Sequence, residues 1–264
     1  MRYVFKRISL LCSALVLLSI PVGVLAAEVQ LAVASNFSGA MQAIAQRFEQ
    51  DSGHTLKLAY GASGKLVAQI RQGAPFEVFL SADSSKPAYL VEQGLAVANS
   101  AFTYAHGRLV LWSAREHYVD SRGAVLQRGD FRYLAIANAQ LAPYGKAAQQ
   151  VLAALQLEQR LGPKAVTGQN IAQTYQFVDS GNAELGFVAL SQWKAIQPGR
   201  GSAWLVPSEY HEPIRQDAVL LAKGKDNHAA GQFMDYLRGP IAQSIMLEYG
   251  YEIPFVLARQ EYAD

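Results

Sequence analysis

The stretch YGASGKLVAQI, Tyr60 to Ile70, sets small polar residues directly before a helical apolar pattern. Ser63 and Gly64 precede Leu66, Val67 and Ile70, which recur at helical spacing. The first turn of a helix carries N–H groups without partners and a partial positive charge, so it attracts anions. A nucleotide-phosphate loop is excluded. It needs a glycine five positions before Gly64, where Ala59 stands, and Ser or Thr after the lysine, where Leu66 stands. Two uses of the turn stay open: Ser63 caps its own helix, or Ser63 and its turn hold an anion.

No other residues assemble into reactive chemistry. GASGK is not a Gly-x-Ser-x-Gly elbow, because Lys65 stands where the second glycine belongs. His54, His106, His117, His211 and His228 are scattered, without HExxH or any paired spacing for zinc. His211-Glu212, in SEYHEP, reads as a solvated loop, and Asp83 as a strand-end residue capping the next turn. The expectation is a protein without a catalytic site, resident metal or cofactor.

Export is written into the first residues. Arg2, Lys6 and Arg7 make a positive end, an apolar run follows from Ile8 to about Ile20, and Val24-Leu25-Ala26 offers a small-residue cleavage site. Residues 1–26 therefore read as a signal peptide, cleaved after Ala26 or Ala27, and the mature protein as periplasmic. The apolar run is short for a membrane span and meets Pro21. The only cysteine, Cys12, lies inside the signal, so the mature chain has no thiol chemistry. Losing three basic residues turns the formal charge of +2 into about −1, which leaves no basic field for nucleic acid.

Strands and helices alternate along the rest. VQLAVA, TLKLAY and FEVFLSA read as strands, separated by a helix whose face is Met41, Ile44, Ala45 and Phe48 and by the helix after Ser63. RLVLWSA, YLAIANA and LGFVAL repeat the pattern, with helices over APYGKAAQQVLAALQL and QNIAQTYQFVDSG. AVLLAKG reads as a late strand, followed by a helix broken at Gly239-Pro240. This rhythm predicts an α/β protein of two lobes, each a mainly parallel sheet flanked by helices, with a cleft between them. Residues 28–108 plus 213–264 are expected to form lobe I, and residues 109–212 lobe II. Ligands bind at the carboxyl ends of such strands, where SNFSG, GASG and SAD all fall.

The segments AVASNFSGAMQAIAQRFEQDSG, ASGKLVAQIRQGAPFEVFLSAD, FTYAHGRLVLWSA, NAQLAPYG, AELGFVAL and MDYLRGPIAQSIMLEYGY occur in order over nearly the whole mature chain. Together they resemble the periplasmic molybdate-binding proteins of ABC importers, which are type II periplasmic substrate-binding proteins. The resemblance implies a tetrahedral oxyanion, molybdate and with it tungstate, held between the lobes by hydroxyls and main-chain N–H groups. By position, Ser35 and Asn36 match the first ligand pair and Ser63 the second hydroxyl. Tyr144 and Ile171 match positions that bind largely through the backbone, with Pro143 and Asn170 shaping their turns. One branch of the family uses a tyrosine where this chain has Ala189, and the other has Thr-Asn where this chain has Ser35-Asn36. The chain is closer to the second branch, so Ala189 is not expected to be a ligand. Lys65 and Lys146 are expected on solvated helix faces.

The implied partner is the membrane permease of an ABC importer, and the implied state a monomer. A carrier for sulfate or a similar anion would share this fold and chemistry. A ferric-ion carrier would share the fold but should cluster tyrosines and carboxylates. Tyr249 and Tyr251 are the only close tyrosine pair late in the chain.

Overall fold

A computed structural model describes residues 26–195 and 200–254. Of residues 1–26, read as the signal peptide, all but Ala26 lie outside the described residues, Cys12 among them.

In chain order the first unit runs β1 (Glu28–Ala34), α1 (Ser38–Ser52), β2 (Thr55–Gly61), α2 (Ser63–Arg71), β3 (Val78–Ser81), α3 (Ser85–Glu92) and β4 (Phe102–Gly107). The second runs β5 (Leu109–Ser113), α4 (Ala124–Arg128), β6 (Leu134–Ala137), α5 (Pro143–Ala154), α6 (Glu158–Leu161), β7 (Ala165–Gly168), α7 (Ile171–Asp179), β8 (Leu185–Ala189), α8 (Leu190–Ala195) and β9 (Ser202–Leu205). The chain then returns through β10 (Ile214–Leu220) to α9 (His228–Arg238) and α10 (Pro240–Glu248).

Two five-stranded sheets result, ordered β2-β1-β3-β10-β4 and β7-β6-β8-β5-β9. In the first, β1 pairs in parallel with β2 and β3, and β10 alone runs against its neighbours. In the second, β6 pairs in parallel with β7 and β8, and β5 alone is reversed. The two lobes thus repeat one topology, and the reversed strand of each lies next to the crossings between them.

Alternation along the strands buries both faces of each sheet. Leu31, Val33, Val78 and Leu80 face one apolar cluster with Met41, Ile44, Phe48 and Phe233, while Ala32 and Phe79 face another with Leu66, Ile70 and Leu90. Phe48 meets Phe233 edge-on with ring centroids 5.4 Å apart. Truncating such a buried ring costs about 3–5 kcal/mol.

Three expectations are corrected. The late strand begins at Ile214, four residues before AVLLAKG, and Ala222–Gly224 is a 3₁₀ turn. Its first half was hidden because Arg215, Gln216 and Asp217 are polar, although Gln216 and Asp217 are buried. His211 is buried rather than solvated, with Nδ1 2.7 Å from the Glu212 carbonyl, while the Glu212 side chain projects outward. Sheet strands β4, β7 and β9 add to those read from the sequence.

Candidate functional site

Parallel pairing sets the strand ends level. Ala34 of β1 pairs with Gly61 of β2, so Ser35-Asn36 and Ala62-Ser63 leave neighbouring strands at one height. In lobe II, Ala137 of β6 pairs with Gly168 of β7, whose exits lead to the starts of α5 and α7. Four helical first turns, the 3₁₀ turn Ser35–Phe37 and the starts of α2, α5 and α7, therefore converge from two lobes. Their early N–H groups have no carbonyl one turn back within the helix to accept them.

The structure brings Ser35, Asn36, Ser63, Tyr144 and Ile171 around one pocket, lined also by Ala34, Ala62 and Ala82. All five are buried, and none is charged. The three alanines pack into the lobe II apolar cluster with Tyr144 and Ile171, so the lobes meet through apolar contact around the pocket. Its free space is only about 10 Å³, against the roughly 300–1,000 Å³ of clefts that take organic ligands. A larger cavity of about 350 Å³ lies at the mouth, near Asp83, Lys86, Lys146, Glu212 and Arg215. Five of its lining side chains are charged, the solvated Lys146 and Glu212 among them, so the small buried pocket is the stronger candidate.

Ser63 bonds across to a neighbouring strand end rather than to its own helix. It is the first residue of α2, one place after the N-cap Ala62. Its Oγ accepts the Ala82 N–H at 3.1 Å. An oxygen fixed as an acceptor leaves its own proton to donate elsewhere. Ser63 is 1% exposed and lines the pocket. Asn36 behaves differently. Its side-chain Nδ2 donates to Gln216 Oε1 at 2.8 Å and to the Tyr251 hydroxyl at 3.0 Å, so both amide hydrogens are engaged behind the pocket. Only its main-chain N–H remains for a ligand.

In lobe II the side chains prepare the backbone. Pro143 is the first residue of α5 and presets the helical entry. The Asn170 side chain caps α7, accepting the Gln173 N–H at 2.9 Å. Gln192 ties the end of β8 to the start of α7, accepting the Ala189 N–H and donating to the Ile171 carbonyl at 3.1 Å. Ala189 is buried and does not line the pocket. The Tyr144 ring passes back under the crossing at Gly107, where a Cβ would stand 2.0 Å from its Oη. Burial pushes the Tyr144 phenol well above its usual range, so it stays neutral. Its Oη faces the Asn36 amide without reaching hydrogen-bond geometry.

The remaining candidates lie outside the pocket. Lys65 is exposed. Lys146 pairs with Glu212 at 2.8 Å, both largely solvated. Asp83 accepts the Lys86 N–H at 3.0 Å at the start of α3. Among the described residues, no group of three or more His, Cys, Asp or Glu gathers as a metal site.

Known proteins place this arrangement. Residues 29–252 match the family described as bacterial extracellular solute-binding protein. The molybdate-binding protein ModA of Azotobacter vinelandii is 55% identical over 227 residues, 86% of this chain and 90% of that protein. ModA of Rhodobacter capsulatus is 50% identical over 226 residues, covering 86% and 88%. A solved periplasmic molybdate-binding protein of A. vinelandii superposes with a TM-score of 0.82 at 42% identity, covering 86% of this chain and 99% of that one. The chain belongs to the bacterial extracellular solute-binding proteins, and among them to the family of the periplasmic molybdate-binding proteins of ABC importers.

Proposed function

We propose that this protein captures molybdate, and tungstate with it, in the interlobe pocket and delivers it to the permease of an ABC importer. The observation that carries the reading is a buried, uncharged pocket on which two serine hydroxyls and four helical first turns converge. A dianion held without countercharge is very costly unless its oxygens are hydrogen-bonded. Donors to a charged acceptor are the stronger kind, and helix N-termini add their partial positive charge. Ser35, Ser63 and the N–H groups of Asn36, Tyr144 and Ile171 are the proposed ligand set. Such donors favour an oxyanion without a proton, because a protonated oxygen would set donor against donor. A ferric ion would need carboxylates or phenolates, whereas the lining has no carboxylate and its one phenol is held neutral.

The finer parts of the reading follow the same logic. Lobe I is assigned residues 28–108 and 213–264, and lobe II residues 109–212, with 196–199 and 255–264 outside the described residues. The protein acts as a periplasmic monomer and turns over no substrate. Calorimetric titration of the ligand-free protein with molybdate, tungstate, sulfate and phosphate tests the reading. Molybdate and tungstate should bind one to one and phosphate should not. Absence of binding by both of the first two would overturn it.

A further inference from the structure

Behind the pocket, polar side chains from both lobes close a ring around the Asn36 turn. The Asn36 carbonyl lies 2.8 Å from Ser191 Oγ and 2.9 Å from the Tyr251 hydroxyl, and those two oxygens lie 3.0 Å apart. The Asn36 amide reaches Tyr251 and Gln216. A consistent proton path runs around the ring: Asn36 Nδ2–H to Tyr251, Tyr251 O–H to Ser191, and Ser191 O–H to the Asn36 carbonyl. Burial pushes the Tyr251 phenol far above its usual range, so it keeps the proton this path requires.

The members come from different parts of the chain. Asn36 and Tyr251 pack together with Phe37 in lobe I, where the Phe37 and Tyr251 rings meet edge-on at 5.2 Å. Gln216 lies on β10, the strand that returns to that sheet. Ser191 alone belongs to lobe II, on α8, the helix that follows β8. It is 5% exposed. Its two bonds are therefore the part of the ring that joins the two lobes.

We propose that Ser191 is a positioning residue for the bound anion, locking the Ser35-Asn36 turn in its binding geometry only in the closed state. It thereby sets how long the anion stays. The inference rests on the anion-binding reading above. Ser191 touches no pocket atom in this role. Its effect reaches the ligand through the Asn36 carbonyl, at the far side of the turn whose N–H groups face the pocket.

Rapid-mixing kinetics with molybdate on wild type, Ser191→Ala, Tyr251→Phe and the double variant decide it, together with melting of each ligand-free protein. Ser191→Ala should leave the association rate and the ligand-free melting temperature unchanged and raise the dissociation rate about tenfold, a net loss of one buried hydrogen bond, because the Tyr251 O–H can turn to the Asn36 carbonyl 2.9 Å away. Tyr251→Phe breaks contacts that persist within lobe I, so it should lower the ligand-free melting temperature as well. In the double variant, dissociation effects should be less than multiplicative, because both singles break the same ring. Wild type that binds neither molybdate nor tungstate overturns the anion reading and this inference with it. Wild type that binds, beside Ser191→Ala that releases at the wild-type rate, overturns the inference alone. So does a Ser191→Ala protein whose ligand-free form is destabilised as much as its complex, since Ser191 would then be an ordinary packing residue.

Discussion

The two lobes repeat a strand order, β2-β1-β3-β10-β4 against β7-β6-β8-β5-β9, yet they meet the pocket with different chemistry. Lobe I presents serine side chains beside its first turns. Lobe II presents the starts of α5 and α7, whose residues there, Tyr144 and Ile171, have side chains buried in apolar surroundings. The shared topology explains why both halves bring helix N-termini to the same place. The difference lies in what a substitution can remove. A hydroxyl is deleted by alanine, whereas a main-chain N–H is lost only to proline.

That contrast can be broken most severely where the lobes touch. The Gly64 N–H donates to the Leu141 carbonyl at 2.9 Å, and a Cβ on Gly64 would already stand 3.2 Å from Leu141 backbone atoms. Gly64→Val adds branches that cannot be accommodated without parting the lobes. A clash of this kind costs about 3 kcal/mol, or roughly two decades of affinity. Titration of the variant should show that loss while its ligand-free melting temperature stays near wild type, because the clash exists only on closure.

The next test sets one lobe against the other. Ser63→Ala removes a donor to a buried charge and should cost roughly 1.5–3 kcal/mol, one to two decades of affinity. Tyr144→Phe removes a hydroxyl without a partner and leaves the N–H in place. It should change affinity by less than about twofold, and stability by no more than about 1 kcal/mol. Calorimetry on both variants checks this. Equal losses would mean that lobe II also binds through a side chain.

The smallest effect is expected from charge. Lys65→Ala should weaken binding slightly at low salt and not at all near physiological ionic strength, where exposed charges are screened over about 8 Å. A salt series of affinities for both proteins measures it. A large, salt-resistant loss would replace the neutral-donor account with an electrostatic one.

Much of this was legible in the sequence, and the omissions have a pattern. Met41, Ile44, Ala45 and Phe48 announced the buried face of α1, and the polar turns after VQLAVA and TLKLAY marked the strand ends. The strands that went unread, β4, β7 and β9, are all sheet edges. They carry polar residues such as Thr103, Thr167 and Ser202, so their apolar signal is weak. Ser63 could be suspected from its type. Tyr144 and Ile171 could not, because every residue but proline owns an N–H and no side chain advertises its use; family resemblance alone pointed to them. The inward amide of Asn36 had no local sign either, since its partners Gln216 and Tyr251 are distant in sequence.

The place of β10 has a consequence for synthesis. All five proposed pocket residues precede Ala172, and a ribosome has made them with a third of the chain still to come. Yet β10 lies between β3 and β4, and Gln216 and Tyr251 hold the first turn from behind. A chain stopped before Ile214 would own every contact atom and still lack the wall that aims them. With the proposed ligand set, anion binding would certify a finished molecule: a truncated product should carry the ligands without holding the cargo.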